Sequence, residues 1–250
     1  MRFAARAFAA VIMMAASCMP AEQQPAPRSA AAGELSFRPG TGDPPGPAAA
    51  IGEVRLSRPG YLLYVPQSYR SNRPAPLLVM LHGAGGEARH SISLTRAHAE
   101  RLGFLVLAPK SAGQSWDVIS AGGYGPDVRA IDAALAEVAA RYRIDPRRIG
   151  LAGFSDGASY ALALGLINGE LFGDVIAFAP CFGMGARTAG RPRLFVVHGI
   201  ADRVLPIDRC SRRLVPQLRA AGYDVRYEEF PGGHSVPEGL AREAFERFAG

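Results

Sequence analysis

Leu77-Leu78-Val79-Met80-Leu81 is apolar on both sides of any extended conformation it adopts. A strand of that kind belongs inside a sheet covered on both faces, the ordinary setting of parallel strands. Further apolar or β-rich runs lie at 51–56, 61–65, 104–108, 149–154, 175–179, 194–198 and 225–230. From the third run in chain order onward they alternate with helical segments. The clearest is 127–142, where Val128, Ile131, Leu135, Val138 and Tyr142 recur at steps of three and four and so share one buried face. Segments 156–168, 208–221 and 237–248 are further helical candidates. The expected fold class is α/β: an eight-stranded, mostly parallel, doubly wound sheet with helices on both faces. The first two strands, with no helix between them, are expected to form an antiparallel hairpin at one edge. A chain of 250 residues, 48% hydrophobic, can build one such domain with a sizeable core.

Three strand ends carry chemistry. Gly153-Phe154-Ser155-Asp156-Gly157 lies between a strand and a helix, the setting of a G-x-S-x-G nucleophile elbow. A serine on that strained turn projects its hydroxyl above the sheet, and side chains in place of the glycines would crowd it. Asp202 follows the seventh strand and His234 follows the eighth. Taken singly, the first motif reads as a Gly/Ser turn, the aspartate as a surface acid or helix cap, and the histidine as a loop residue. Together they run in the order Ser155, Asp202, His234, each at the end of a strand. A serine hydroxyl needs a base, and the base needs an acid to fix its tautomer, so the expected roles are nucleophile, orienting acid and general base. Asp208 is a second candidate for the acid but reads better as a helix start. His82 and His198 precede glycines at strand ends, and His90 and His98 lie early in a helical stretch, so none fits the base as well.

In these motifs residues 51–250 resemble the α/β-hydrolase superfamily. The nearest likeness is to small bacterial phospholipase/carboxylesterase-like esterases, through Gly153–Gly157, His198-Gly199-Ile200-Ala201-Asp202-Arg203-Val204-Leu205-Pro206 and Gly233-His234. A looser one is to secreted polyhydroxybutyrate-depolymerase and feruloyl-esterase-like hydrolases. The first group often has Gln after the serine and then Gly-Gly. Asp156-Gly157-Ala158 departs from that pattern, so thioesterase or lysophospholipase specificity does not carry over.

The resemblance implies an oxyanion hole from the backbone amides of Ala84, in His82-Gly83-Ala84-Gly85-Gly86, and of Asp156. It also implies that the loop holding Trp116 borders the active site, where the indole either lines the substrate pocket or packs structurally. Residues 180–193 are too few for a helical cap, so no large lid is expected. Cys181 and Cys210 follow the sixth and seventh strands on one edge of the sheet, and a Cys181–Cys210 disulfide is expected there.

The expected function is a serine esterase acting on small carboxylic esters. A thioesterase or small peptidase with the same triad is the alternative, and a tethered binding module on a hydrolase scaffold a more distant one. Haloalkane dehalogenases and many epoxide hydrolases of this fold need an aspartate nucleophile, and Ser155 argues against them. No cofactor or metal is implied, for the chain has no GxGxxG, Walker loop, HExxH or paired-cysteine spacing.

Arg2 and Arg6 precede the apolar stretch 8–16 and then Ser17-Cys18, the pattern of a signal peptide over residues 1–17 and of export to the periplasm or beyond. Cys18 occupies the lipidated position of a lipoprotein box, which would tether the protein to a membrane. Ordinary signal peptidase also accepts the Ala-x-Ser site, and both readings stay open. In residues 19–50, Pro, Gly and Ala fill 19 of 32 positions, so 18–50 is expected to be a flexible linker and 51–250 the catalytic domain. Without Arg2 and Arg6 the formal charge falls from +6 to +4, spread over scattered arginines rather than a basic patch, and nucleic acid is not an expected partner.

Overall fold

The computed structural model describes residues 32–40, 50–183 and 187–250. The stretch read as a signal peptide, Cys18 and most of the stretch read as a linker lie outside the described residues. The eight strands are β1 Gly52–Arg55, β2 Leu62–Val65, β3 Ala75–Leu81, β4 Leu105–Ala108, β5 Ile144–Phe154, β6 Asp174–Phe178, β7 Arg193–Gly199 and β8 Val225–Phe230. The helices are α1 Ala88–Leu102, the single turn α2 Asp117–Ser120, α3 Pro126–Ala139, α4 Asp156–Ile167, α5 Ser211–Ala220 and α6 Glu238–Ala249.

The strands form one sheet in the order β1-β2-β4-β3-β5-β6-β7-β8. β1 pairs antiparallel with β2 and β2 with β4; every later pair is parallel. Parallel strands need a crossover on each return, and the helices supply it, splitting the core into two layers. Leu77, Val79 and Leu81 face the layer built from α3, α4 and α5. Leu78 and Met80 face the layer with Ile92 and Ala99 of α1 and Phe245 and Phe248 of α6. The apolar run that marks β3 in the sequence is thus divided, residue by residue, between two cores.

Boundaries differ where tertiary context overrides local pattern. α3 stops at Ala139, three residues short of Tyr142, although Tyr142 is still buried. β5 begins at Ile144, earlier than its apolar run, through Ile144-Asp145-Pro146-Arg147-Arg148, with a register shift between Ala75 and Leu77 of its partner.

The linker expectation needs correction. Residues 32–40 fall inside the 18–50 stretch, yet they dock on the domain. Leu35 is 2% exposed and Phe37 is also buried, both within the layer of α3 and α4. The Leu35 amide donates to Asn168 Oδ1 at 2.8 Å, and the Phe37 amide to Asp132 Oδ1 at 2.7 Å. Asn168 Nδ2 returns a bond to the Gly33 carbonyl at 2.8 Å. Two large apolar side chains and two partnered amides offset the ordering entropy of a segment whose composition reads as tether. The folded unit therefore includes residues 32–40. Leu35→Ala is expected to cost about 2–4 kcal/mol, read as a lower urea midpoint at unchanged slope. An unchanged midpoint would restore the tether reading.

Candidate active site

The chemistry-bearing residues meet at the C-terminal edge of the sheet. Ser155 sits between β5 and α4 with φ 58° and ψ −122°, a left-handed conformation that costs a non-glycine residue energy. Its amide donates to the Phe178 carbonyl at 2.9 Å, and Ala179, the next residue along from Phe178, is the other non-glycine with positive φ among the described residues. The motif glycines permit this turn by close approach. A Cβ on Gly153 would stand 2.1 Å from the Gly157 carbonyl oxygen, and one on Gly157 would stand 2.4 Å from the carbonyls of both Leu81 and His82.

Ser155 Oγ donates to His234 Nε2 at 2.8 Å, and His234 Nδ1 donates to Asp202 Oδ2 at 2.7 Å. Asp202 Oδ1 accepts the amides of Val204 and Leu205, each at 2.8 Å. Burial alone would raise the Asp202 carboxyl, but the hydrogen bonds from His234 and from the Leu205 and Val204 amides hold it below the usual carboxylate range. The acid is therefore charged at neutral pH. Because its folded value is depressed, the stability it contributes is present above the unfolded value of about 3.9 and is lost as pH falls through the lower folded one. Asp208 is not part of this set; it pairs with Arg212 at 2.8 Å on the surface.

The loop after β3 lies against Ser155, close enough that a Cβ on Gly83 would be 3.3 Å from Ser155 Cβ. The Gly85 and Gly86 amides are used within the loops, donating to Gln114 and Gly83 carbonyls at 2.6 and 3.0 Å. The amides of Ala84 and of Asp156, at the first position of α4, have no partner among the described residues.

Trp116 does not line the cleft. It is fully buried, its Nε1–H donates to the His82 carbonyl at 2.9 Å, and its ring stacks on Tyr160 with centroids 5.2 Å apart. Of the two roles open to it, packing is the one the fold selects, because α2 turns the indole under the oxyanion loop rather than over it. Trp116→Ala should cost about 3–5 kcal/mol by leaving a cavity there. The variant loses the only tryptophan, so its urea unfolding is followed by circular dichroism.

Two histidines that fit the triad poorly have definite positions. The Ser111 amide donates to His82 Nε2 at 3.0 Å, so the ring proton is on Nδ1, which donates to the Gly83 carbonyl at 2.7 Å. His198 has the opposite tautomer: Nε2 donates to the Leu205 carbonyl at 2.8 Å and lies 3.3 Å from Asp202 Oδ2, while Nδ1 accepts from Ser211 Oγ at 2.7 Å. Burial pushes both imidazoles down from their ordinary value, which keeps them neutral. His82 braces the loop after β3 and His198 the loop that holds Asp202. Phe154, inside the elbow motif, packs its ring 4.8 Å from that of His234. The only sequence signal for these three is adjacency to the motifs themselves.

Cys181 and Cys210 are joined in a disulfide that ties the loop after β6 to the start of α5. The Cys181 amide also accepts restraint from α4, donating to Ser159 Oγ at 2.9 Å. Between β6 and β7 the described residues contain no helix, as expected of a site without a cap. No cluster of three or more His, Cys, Asp or Glu among the described residues has the arrangement of a metal site.

A family model described as esterase PHB depolymerase matches residues 59–190, more than half of the chain. The chain belongs to the esterase PHB depolymerase family. The matched span contains the His82 loop and Ser155 and ends before Asp202 and His234. Of the two likenesses in the sequence, this is the polyhydroxybutyrate-depolymerase and feruloyl-esterase branch. Among curated relatives, a probable feruloyl esterase C of Aspergillus oryzae is 28% identical over 65% of this chain and 62% of its own length. A bifunctional acetylxylan esterase/xylanase of Neocallimastix patriciarum is 32% identical over 57% of this chain and 21% of its own length. This member of the family thus spans less than two thirds of either relative. The crystal structure of esterase PE8 superposes with a TM-score of 0.61 at 24% identity, covering 74% of this chain and 95% of that one, which places the two in the same fold.

Proposed function

We propose that this protein is an exported serine hydrolase that cleaves carboxylic esters through an acyl-enzyme intermediate. The observation that carries the reading is the continuous relay Ser155–His234–Asp202, with bonds of 2.8 and 2.7 Å. His234 Nε2 takes the Ser155 proton as Oγ attacks the ester carbonyl carbon. The tetrahedral oxyanion is met by the amides of Ala84 and Asp156, which make no hydrogen bond among the described residues that would have to break first. His234 then returns the proton to the departing alcohol, and water, activated by the same ring, releases the acid and regenerates Ser155.

The names of the relatives point to acetyl and feruloyl esters as first substrates. An apolar rim supports a carbon-rich acyl group: Phe182 follows β6, and Ile200 and Val204 flank Asp202, all three exposed. Export is supported by the signal-peptide pattern of residues 1–17 and by the disulfide, which persists in oxidising compartments. The test is hydrolysis by the full chain of p-nitrophenyl esters of increasing acyl length and of methyl ferulate, beside thioester and anilide counterparts. Turnover of the esters with little on the others supports the proposal; turnover confined to thioesters or anilides overturns it.

A further inference from the structure

A groove of about 330 Å³ opens between the β1–β2 hairpin and the start of α1. Its lining includes the apolar Leu56 and Pro59 and carries Arg55, Arg89 and Lys110 beside one carboxylate, Glu87. Arg89 is paired with Glu53 at 3.3 Å. Arg55 and Lys110 form no ion pair among the described residues. Lys110 is the sole lysine among 28 basic residues. It is half-buried, with its stem packed close to Gly60. An ammonium is a compact charge with three freely turning donors, suited to a ligand that is not held in one plane.

The position of the groove matters more than its charge. Glu87 follows directly on the loop whose Gly83 lies against Ser155, and four residues of chain span at most about 14 Å. Lys110 precedes Ser111, which holds His82 under the same loop. An ester with a remote anionic group can therefore place its carbonyl at Ser155 and its charge among Arg55, Arg89 and Lys110.

We infer that this groove is a subsite for a carboxylate carried on the acyl or alcohol portion of the ester, giving the enzyme a preference for acidic over neutral esters. The inference rests on the ester-hydrolase reading above. It is tested on the full chain with two matched series. One is p-nitrophenyl half-esters of dicarboxylic acids of increasing length beside their methyl-capped forms. The other is phenyl acetates bearing a carboxyalkyl group on the ring, again beside methyl-capped forms.

The expected result is a charged-to-capped ratio of kcat/KM above one at a particular length in one series, carried mainly in KM. In Arg55→Gln/Lys110→Gln that ratio falls by roughly 10-fold, while capped esters change by less than about twofold. The preference should also shrink in about 0.5 M salt, as it must for half-exposed charges. The series in which it occurs tells which side of the ester the groove receives. Equal rates for charged and capped esters in both series, or a ratio unmoved in the double variant, overturn the groove alone. Failure to turn over even the capped esters overturns the esterase reading and this subsite with it.

Discussion

Ser155→Ala is expected to lower kcat/KM on p-nitrophenyl acetate by at least about a thousandfold and by as much as ~10⁶-fold, with the thermal unfolding midpoint unchanged. The size follows from the geometry: among the described residues, Ser155 Oγ is the hydroxyl hydrogen-bonded to His234 Nε2, at 2.8 Å, and no other takes its place. Removing it deletes the covalent step rather than weakening it. Residues in a relay act as a unit, so His234→Ala should give a loss of similar size and the double variant little more. Additive losses would mean that Ser155 and His234 serve separate functions. The residual rate in all three measures what the Ala84 and Asp156 amides contribute by themselves.

Asp202→Asn should leave the protein folded and reduce kcat by about 10⁴-fold. The direction of the amide decides this. Asp202 Oδ1 accepts two backbone amides, so an asparagine there must keep its carbonyl oxygen toward Val204 and Leu205. Its NH₂ group then faces His234 Nδ1, from which the native carboxylate accepts a hydrogen bond at 2.7 Å. Two donors cannot share that contact, and the ring shifts its proton to Nε2, the atom that must accept from Ser155. The failure is one of tautomer, visible as a low kcat with KM nearly retained and as a changed imidazole signal in nitrogen NMR. A loss below about tenfold would show that Asp202 does not set the tautomer of His234.

The fold was legible because two periodicities alternate along the chain. The β3 run and the three-four spacing of Val128, Ile131, Leu135 and Val138 leave a covered parallel sheet as the arrangement that buries both. Ser155, Asp202 and His234 were legible by position, since ends of parallel strands converge on one edge. Composition misjudged residues 32–40, for it counts small and proline residues but not the partners awaiting Leu35 and Phe37 on α3 and α4. Trp116 shows the same limit, since its place in a loop after β4 does not say whether the ring turns toward solvent or toward Tyr160.

The sequence by itself determined the sheet, its helical cover and the residues that reach its C-terminal edge, because apolar periodicity and strand order are written locally. The tertiary structure alone decided what holds those residues in place. The tautomers of His82 and His198, the burial of Trp116, the docking of Leu35 and the clustering of Arg55, Arg89 and Lys110 each join segments far apart in the chain. Such contacts depend on distances in the folded state, and a one-dimensional pattern does not encode which distant donor will meet which acceptor.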